Sequence, residues 1–256
     1  MGEILLGTSG WDYPEWTGRV YPPSGVSDKL RYYAHQFPIV EVNTTFYRLP
    51  APAVAETWAR RTPRGFRFAA KFPRTITHEL CLQGTDTELR RFLDVVAPLR
   101  VAGKFVAALL QLPPYLPFDA ATVRRFYASL PRDLPVAVEF RERSWLVPES
   151  YALLRDFGLA NVIVDGPHLP VALDVTAPFA YVRWHGHGSP IWYDYAYSAA
   201  ELAAWVPRLH TVGASAPAVY GFFNNHFRGD AAANCRSLSE LLGLLPPGGG
   251  RLDDRP

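Results

Sequence analysis

Short apolar runs rich in β-formers alternate along this chain with longer stretches in which apolar residues recur every three or four positions. That alternation predicts repeated strand–helix units around a parallel sheet. The strand-like runs are Ile4 to Thr8, Ile39 to Asn43, Phe66 to Lys71, Phe105 to Gln111, Pro135 to Phe140, Asn161 to Asp165, Ala180 to His185 and Ala218 to Asn224. Eight units within 256 residues predict a closed TIM-type (β/α)8 barrel, parallel strands with outer helices, a fold that takes about 250 residues as one domain. The barrel is expected over residues 1–245, with the Pro- and Gly-rich residues 246–256 as a flexible C-terminal tail.

Between the runs, polar residues mark helix ends. Thr85 with Glu88, and Ser198 with Glu201, have capping-box spacing ahead of amphipathic stretches. Asp119 is placed to cap the helix carrying Val123, Phe126, Tyr127 and Leu130, and Ser27 to open the first outer helix. Gly158 is placed to end the helix from Tyr151 in a left-handed turn. The segments after strands one, two, three and seven are instead rich in Trp, Tyr, Pro and Gly. Loops of this kind commonly carry function.

Alternate residues of a barrel strand face the interior and the helices, so parity predicts which side chains meet at the centre. In IVEVN, outward Val40 and Val42 turn Glu41 and Asn43 inward. In VAVEFR, Glu139 and Arg141 face in, and in YVRWH, Arg183 and His185 do. The same reasoning over more uniformly apolar runs assigns Lys71, Gln111, Asp165 and Asn224 to the inner ends of strands three, four, six and eight, while strand one supplies Thr8 or Ser9. Catalytic residues of this fold come from the C-terminal strand ends, so the ring of polar residues is the main functional signal. The alternative is a set of mutually neutralising ion pairs, such as Glu41 with Lys71 and Glu139 with Arg141 or Arg183. Withdrawn charges are costly unless paired, and stability is a poor reason to build such a ring, which a binding or catalytic purpose explains better.

Composition narrows the picture. The chain is 48% hydrophobic and 20% charged, ordinary for a protein with one large core, and its formal net charge of +2 argues against an extensive polyanion footprint. Cys81 and Cys235, the only cysteines, form no C-x-x-C and are expected to be free thiols. No apolar stretch approaches the roughly 20 residues that span a bilayer, and the first residues lack a signal-peptide pattern. A cytoplasmic protein without a membrane partner is expected.

Specific chemistries leave different marks. Glu41, Glu139, Asp165 and His185 offer ligands suited to Mg, Mn or Zn, although no motif requires a metal or other cofactor. Lys71 could form a Schiff base only with a depressed pKa, and ion pairing is the expected state. Arg228, Gly229 and Asp230 precede a helical run whose start could hold an anion. Trp11 and Tyr47 head a set of loop aromatics able to stack on bases or sugars.

Seven segments together resemble one family: GTSGWDYPEWTGRVYP, VEVNTTFYRLP, FAAKFPRTITH, LLQLPP, VAVEFRERSW, YVRWHG and YGFFNNHFRGDAAANCRSL. In this order, from Leu5 to Leu241, they are similar to the YecE-like family, known as domain of unknown function 72. The resemblance implies a TIM-type barrel and carries no reaction with it. Its characteristic positions fall on Trp11, Glu41, Asn43, Tyr47, Lys71, Gln111, Glu139, Arg141, Arg183, His185, Gly186, Asn224 and Asn225.

The expected activity is acid/base hydrolase or lyase chemistry on a small anionic substrate, phosphorylated or carboxylated. Glu41, Lys71, Glu139 and His185 are the candidate catalytic residues. Trp11, Asn43, Tyr47, Gln111, Arg141, Arg183, Asn224, Asn225 and Arg228 are the candidate binding residues. A nucleic-acid-processing or nucleic-acid-binding protein and a non-catalytic ligand sensor or scaffold are the alternatives.

Overall fold

Parallel pairing runs unbroken around the computed structural model, which describes residues 2–244. Strands β1 (Glu3–Ser9), β2 (Ile39–Val42), β3 (Arg67–Lys71), β4 (Phe105–Gln111), β5 (Val136–Glu139), β6 (Ala160–Asp165), β7 (Phe179–Trp184) and β8 (Ala218–Phe223) close in sequence order. Each lies within two residues of its expected run at both ends. The register pairs Ser9 with Glu41 and Gln111 with Glu139, so neighbouring strand ends arrive at one level. The tail expected over residues 246–256 lies outside the described residues.

The helices are α1 (Lys29–Ala34), α2 (Thr44–Tyr47), α3 (Pro52–Arg61), α4 (Asp86–Val101), α5 (Ala120–Ser129), α6 (Pro148–Phe157), α7 (Ala199–Ser215) and α8 (Asp230–Leu241), of which the single turn α2 sits at the strand ends and the others form the outer layer. Ser198 and Glu201 form the full reciprocal capping box, and Asp119 accepts from the Thr122 amide at 2.7 Å. Gly158 ends α6 at φ 68°. Two expected caps differ. Asp28 rather than Ser27 caps α1, accepting from the Arg31 amide at 3.0 Å, and Thr85 precedes α4 without a side-chain cap bond. The β6–β7 connection contains no helix, because Pro167, Pro170 and Pro178 remove amide donors through its length.

Two apolar clusters follow from strand parity. Ile39, Ala69, Leu109, Ala137, Val162, Tyr181 and Phe222 fill the barrel interior, whereas Val40, Phe68, Val138, Val182 and Trp184 pack outward beneath the helices. Strand β6 breaks one expectation. Val162 and Val164 face the interior, so Asp165 faces the helices, where its Oδ2 accepts from Trp205 Nε1 of α7 at 2.6 Å. A run apolar on both faces gave parity nothing to distinguish them by.

Candidate functional site

The strand ends build the site in two levels. The lower is a buried ion network. Arg183 on β7 donates through Nη1 to Glu139 Oε2 at 2.5 Å and through Nη2 to Glu41 Oε1 at 2.7 Å, and all three side chains are withdrawn from water. Glu41 also accepts from Ser9 Oγ at 2.7 Å and Tyr181 Oη at 2.6 Å. Glu139 Oε1 takes Arg141 Nη2 and lies 3.2 Å from His185 Nε2. Burial alone would raise the Glu139 pKa, but Arg141 and Arg183 outweigh it and hold the carboxyl well below the usual range. The network satisfies each carboxylate with several donors, the condition under which buried charge is tolerated.

Above it opens a cavity of about 550 Å³, lined by Trp11, Asn43, Tyr47, Lys71, Gln111, Arg141, Arg183, His185 and Asn224 among the expected residues. Glu41 and Glu139 lie beneath and do not line it. Phe46, His168, Trp192, Tyr193, His226 and the carboxylate Asp12, which pairs with Lys29, also line it. Gly186, at φ 89°, positions part of this wall, since a Cβ there would lie 2.6 Å from both the Trp192 carbonyl and Tyr195. The chain therefore folds back tightly after His185 and lays the Trp192 ring 5.0 Å from the Arg141 guanidinium.

Lys71 departs from its expected ion pair. Among the described residues no carboxylate forms a salt bridge with it. Its Nζ donates to Gln111 Oε1 at 2.7 Å and sits 4.0 Å from the centre of the Phe46 ring. Gln111 is held in that orientation because its Nε2 donates to the Leu112 carbonyl at 2.7 Å. The carboxylate expected for Lys71, Glu41, is taken by Arg183, whose planar fork spans two acids at once. Burial, reinforced by Arg183, brings the Lys71 pKa down to about 7 against the partial compensation of Glu139 and Glu41.

His185 is buried, with Nε2 2.9 Å from Arg141 Nη2 and Nδ1 3.0 Å from the Asn224 amide nitrogen. Burial and then Arg141 lower its pKa to about 3, so the ring is neutral in ordinary solution. Asn43 Oδ1 and Arg141 Nε are buried without a protein hydrogen-bond partner.

Three expected members stand elsewhere. Asn225 follows inward Asn224 and takes the opposite parity, donating to the Tyr195 carbonyl and to Asn234 Oδ1 on α8, both at 2.8 Å. Arg228 pairs with Asp194 at 2.5 Å and Asp230 at 3.6 Å, and neither Arg228 nor Gly229 lines the cavity. The anion site expected at Arg228–Asp230 is thus filled by the chain's own carboxylates. Asp165 cannot join Glu41, Glu139 and His185 around one ion, since it lies on the outer face of its strand. Among the described residues no group of three His, Cys, Asp or Glu side chains is arranged to hold a metal ion. Tyr181 is a member that strand parity could have added, since it shares parity with Arg183, whereas Trp192 and Phe46 belong to the loop aromatics, whose segments lack the periodicity that would place them.

The family model described as "Protein of unknown function DUF72" matches residues 5–250. The chain belongs to the DUF72 family. Among its DUF72 relatives, the UPF0759 protein YunF of Bacillus subtilis is 29% identical over 94% of this chain and 95% of its own. The UPF0759 protein YecE of Escherichia coli K12 is 36% identical over 63% of this chain and 59% of its own. A DUF72 protein of Thermotoga maritima, solved by crystallography, superposes with a TM-score of 0.87 at 32% identity, covering 94% of this chain and 99% of that one. The expected family and fold both hold. No helix among the described residues is long and apolar enough to cross a membrane.

Proposed function

We propose that the cavity is the active site of an acid/base enzyme acting on a small anion, carboxylated or phosphorylated. The observation that carries this reading is the charge balance at the strand ends. Glu41 and Glu139 offset Arg183 and Arg141, which leaves Lys71 as the strand-end cation without a carboxylate partner among the described residues. An anionic ligand would supply that partner. It would also meet the unpaired Arg141 Nε, while a hydroxyl on the ligand would suit Asn43 Oδ1.

The proton-carrying role falls to Lys71 in this reading. Glu41 and Glu139 are saturated by donors below the cavity, and neutral His185 holds its place between Arg141 and Asn224. A group with a pKa of about 7 serves equally as acid or base near neutrality, and its ammonium form would stabilise an oxyanion developing beside it. Elimination or hydrolysis of an anionic substrate suits this set.

Thermal-shift titration with inorganic phosphate and small carboxylates, followed by turnover assays on those that bind, tests the reading. Stabilisation by anions in wild type and its loss in Arg141→Ala is expected. Equal shifts in the two proteins would overturn the anion assignment, and binding without turnover would make the barrel a sensor.

A further inference from the structure

We infer that Lys71 is an amine nucleophile that condenses with the carbonyl group of a small anionic aldehyde or ketone, its carboxylate or phosphate held by Arg141. The inference deepens, and for its substrate rests on, the reading of the cavity as an anion site.

The three lysines of the chain occupy contrasting environments. Lys29 pairs with Asp12 at 2.6 Å on the surface. Lys104 spends all three N–H bonds, on the Ala59 and Thr62 carbonyls at 2.7 Å each and on Thr62 Oγ1 at 2.9 Å. Lys71 alone reaches a cavity large enough for a metabolite, and it makes one hydrogen bond to the protein, to the fixed Gln111 oxygen. That bond orients the amine in either protonation state. A carboxylate partner would lock it as ammonium, and the structure diverts both nearby acids to arginine.

The same surroundings disfavour the cation. Burial and Arg183 bring the pKa to about 7, so about half of the molecules carry a free lone pair at neutrality. Arg141 borders the same cavity, and its Trp192 contact and Glu139 pair fix the guanidinium as an anchor for a ligand's anionic end.

The reaction balances without a further reagent. The Lys71 Nζ lone pair attacks the carbonyl carbon, a C–N bond forms, and the C–O π pair takes up a proton as the amine loses one. The resulting carbinolamine then expels its hydroxyl with the second amine proton as water, leaving C=N. The imine so formed withdraws electrons from the adjacent carbon, which is the property that lyase chemistry at that carbon requires.

Glyoxylate and sodium borohydride provide the test on the intact protein near neutral pH. Hydride reduces the imine to a secondary amine and leaves one carboxymethyl group on the reacting lysine. Peptide mapping should show Lys71 labelled about 10-fold or more faster than Lys29 in the same molecules. Lys71→Arg should remove the fast label and leave labelling at Lys29 unchanged. Labelling of Lys71 no faster than Lys29 would overturn the inference.

Glycolate, the same anion without a carbonyl, separates the two readings. If glycolate and glyoxylate stabilise the protein through Arg141 but Lys71 stays unlabelled, the anion site stands and the nucleophile falls. If Lys71 labels rapidly and glycolate gives no protection, the nucleophile stands and the anion site falls.

Discussion

Arg183 Nη2 lies 2.7 Å from Glu41 Oε1 beneath the cavity, between two side chains with essentially no exposure to solvent. Removing one partner of such a pair leaves a charge buried without compensation. Glu41→Gln should therefore lower unfolding free energy by about 3 kcal/mol, measured by urea denaturation. A loss under about 1 kcal/mol would mean that solvent or rearrangement reaches Arg183.

Lys71 should make stability depend on pH in a defined direction. Its folded-state pKa of about 7 lies below the ordinary lysine value of 10.5, so between those values the unfolded chain holds more protons. Stability then rises with pH across that window, and the cost of burying the ammonium is greatest below pH 7. Lys71→Met should be more stable than wild type by a few kcal/mol at about pH 6, with the advantage shrinking toward about pH 10. A difference that does not vary with pH would place the Lys71 pKa in its ordinary range.

An anion bound beside Lys71 should favour the ammonium and raise its pKa. Above pH 7, binding should therefore take up a proton, and affinity should fall as pH rises. Calorimetry of the binding of glycolate, an anion that does not itself titrate in this range, in buffers of different ionisation enthalpy measures this directly. Lys71→Met should lose the proton uptake and the pH dependence together.

The position of Asp165 predicts a structural role without a binding role. Trp205→Phe would remove the donor 2.6 Å from Asp165 Oδ2 and should cost about 1–3 kcal/mol of stability. Ligand affinity should stay within about twofold, because neither residue lines the cavity.

Arg228→Ala should change stability by less than about 1 kcal/mol, since its side chain is half exposed and its pairs with Asp194 and Asp230 are screened by water. Anion affinity should also be unaffected. A large loss in titration calorimetry would restore Arg228 to the site.

Parity read the interior correctly wherever a strand alternates polar and apolar residues. IVEVN, VAVEFR and YVRWH each put their charges on one face, and Glu41, Glu139, Arg141, Arg183 and His185 meet as expected. It failed for Asp165, where ANVIVD offers apolar residues to both faces, whereas Asn225, a binding candidate only through the family resemblance, takes the outward side that parity gives the neighbour of inward Asn224. The partners of the charges were less legible. Nothing in the sequence says that one guanidinium spans two acids, yet that choice decides the state of Lys71. The loop aromatics were legible as a set, and Trp11 and Tyr47 do line the cavity, but their arrangement was not, because loop side chains are placed by contacts distant in sequence, such as Trp192 against Arg141.

The two acids beneath the cavity balance the two guanidiniums, Arg141 and Arg183, that reach its floor, and His185 adds no charge. Against that balance, the proton on the Lys71 amine adds a charge directly to the potential felt by a small ligand. The floor acts as a silent background against which a single proton is read. Because the Lys71 pKa of about 7 lies close to neutrality, acidification adds one positive charge to the pocket at this amine, and the same protein presents two binding surfaces.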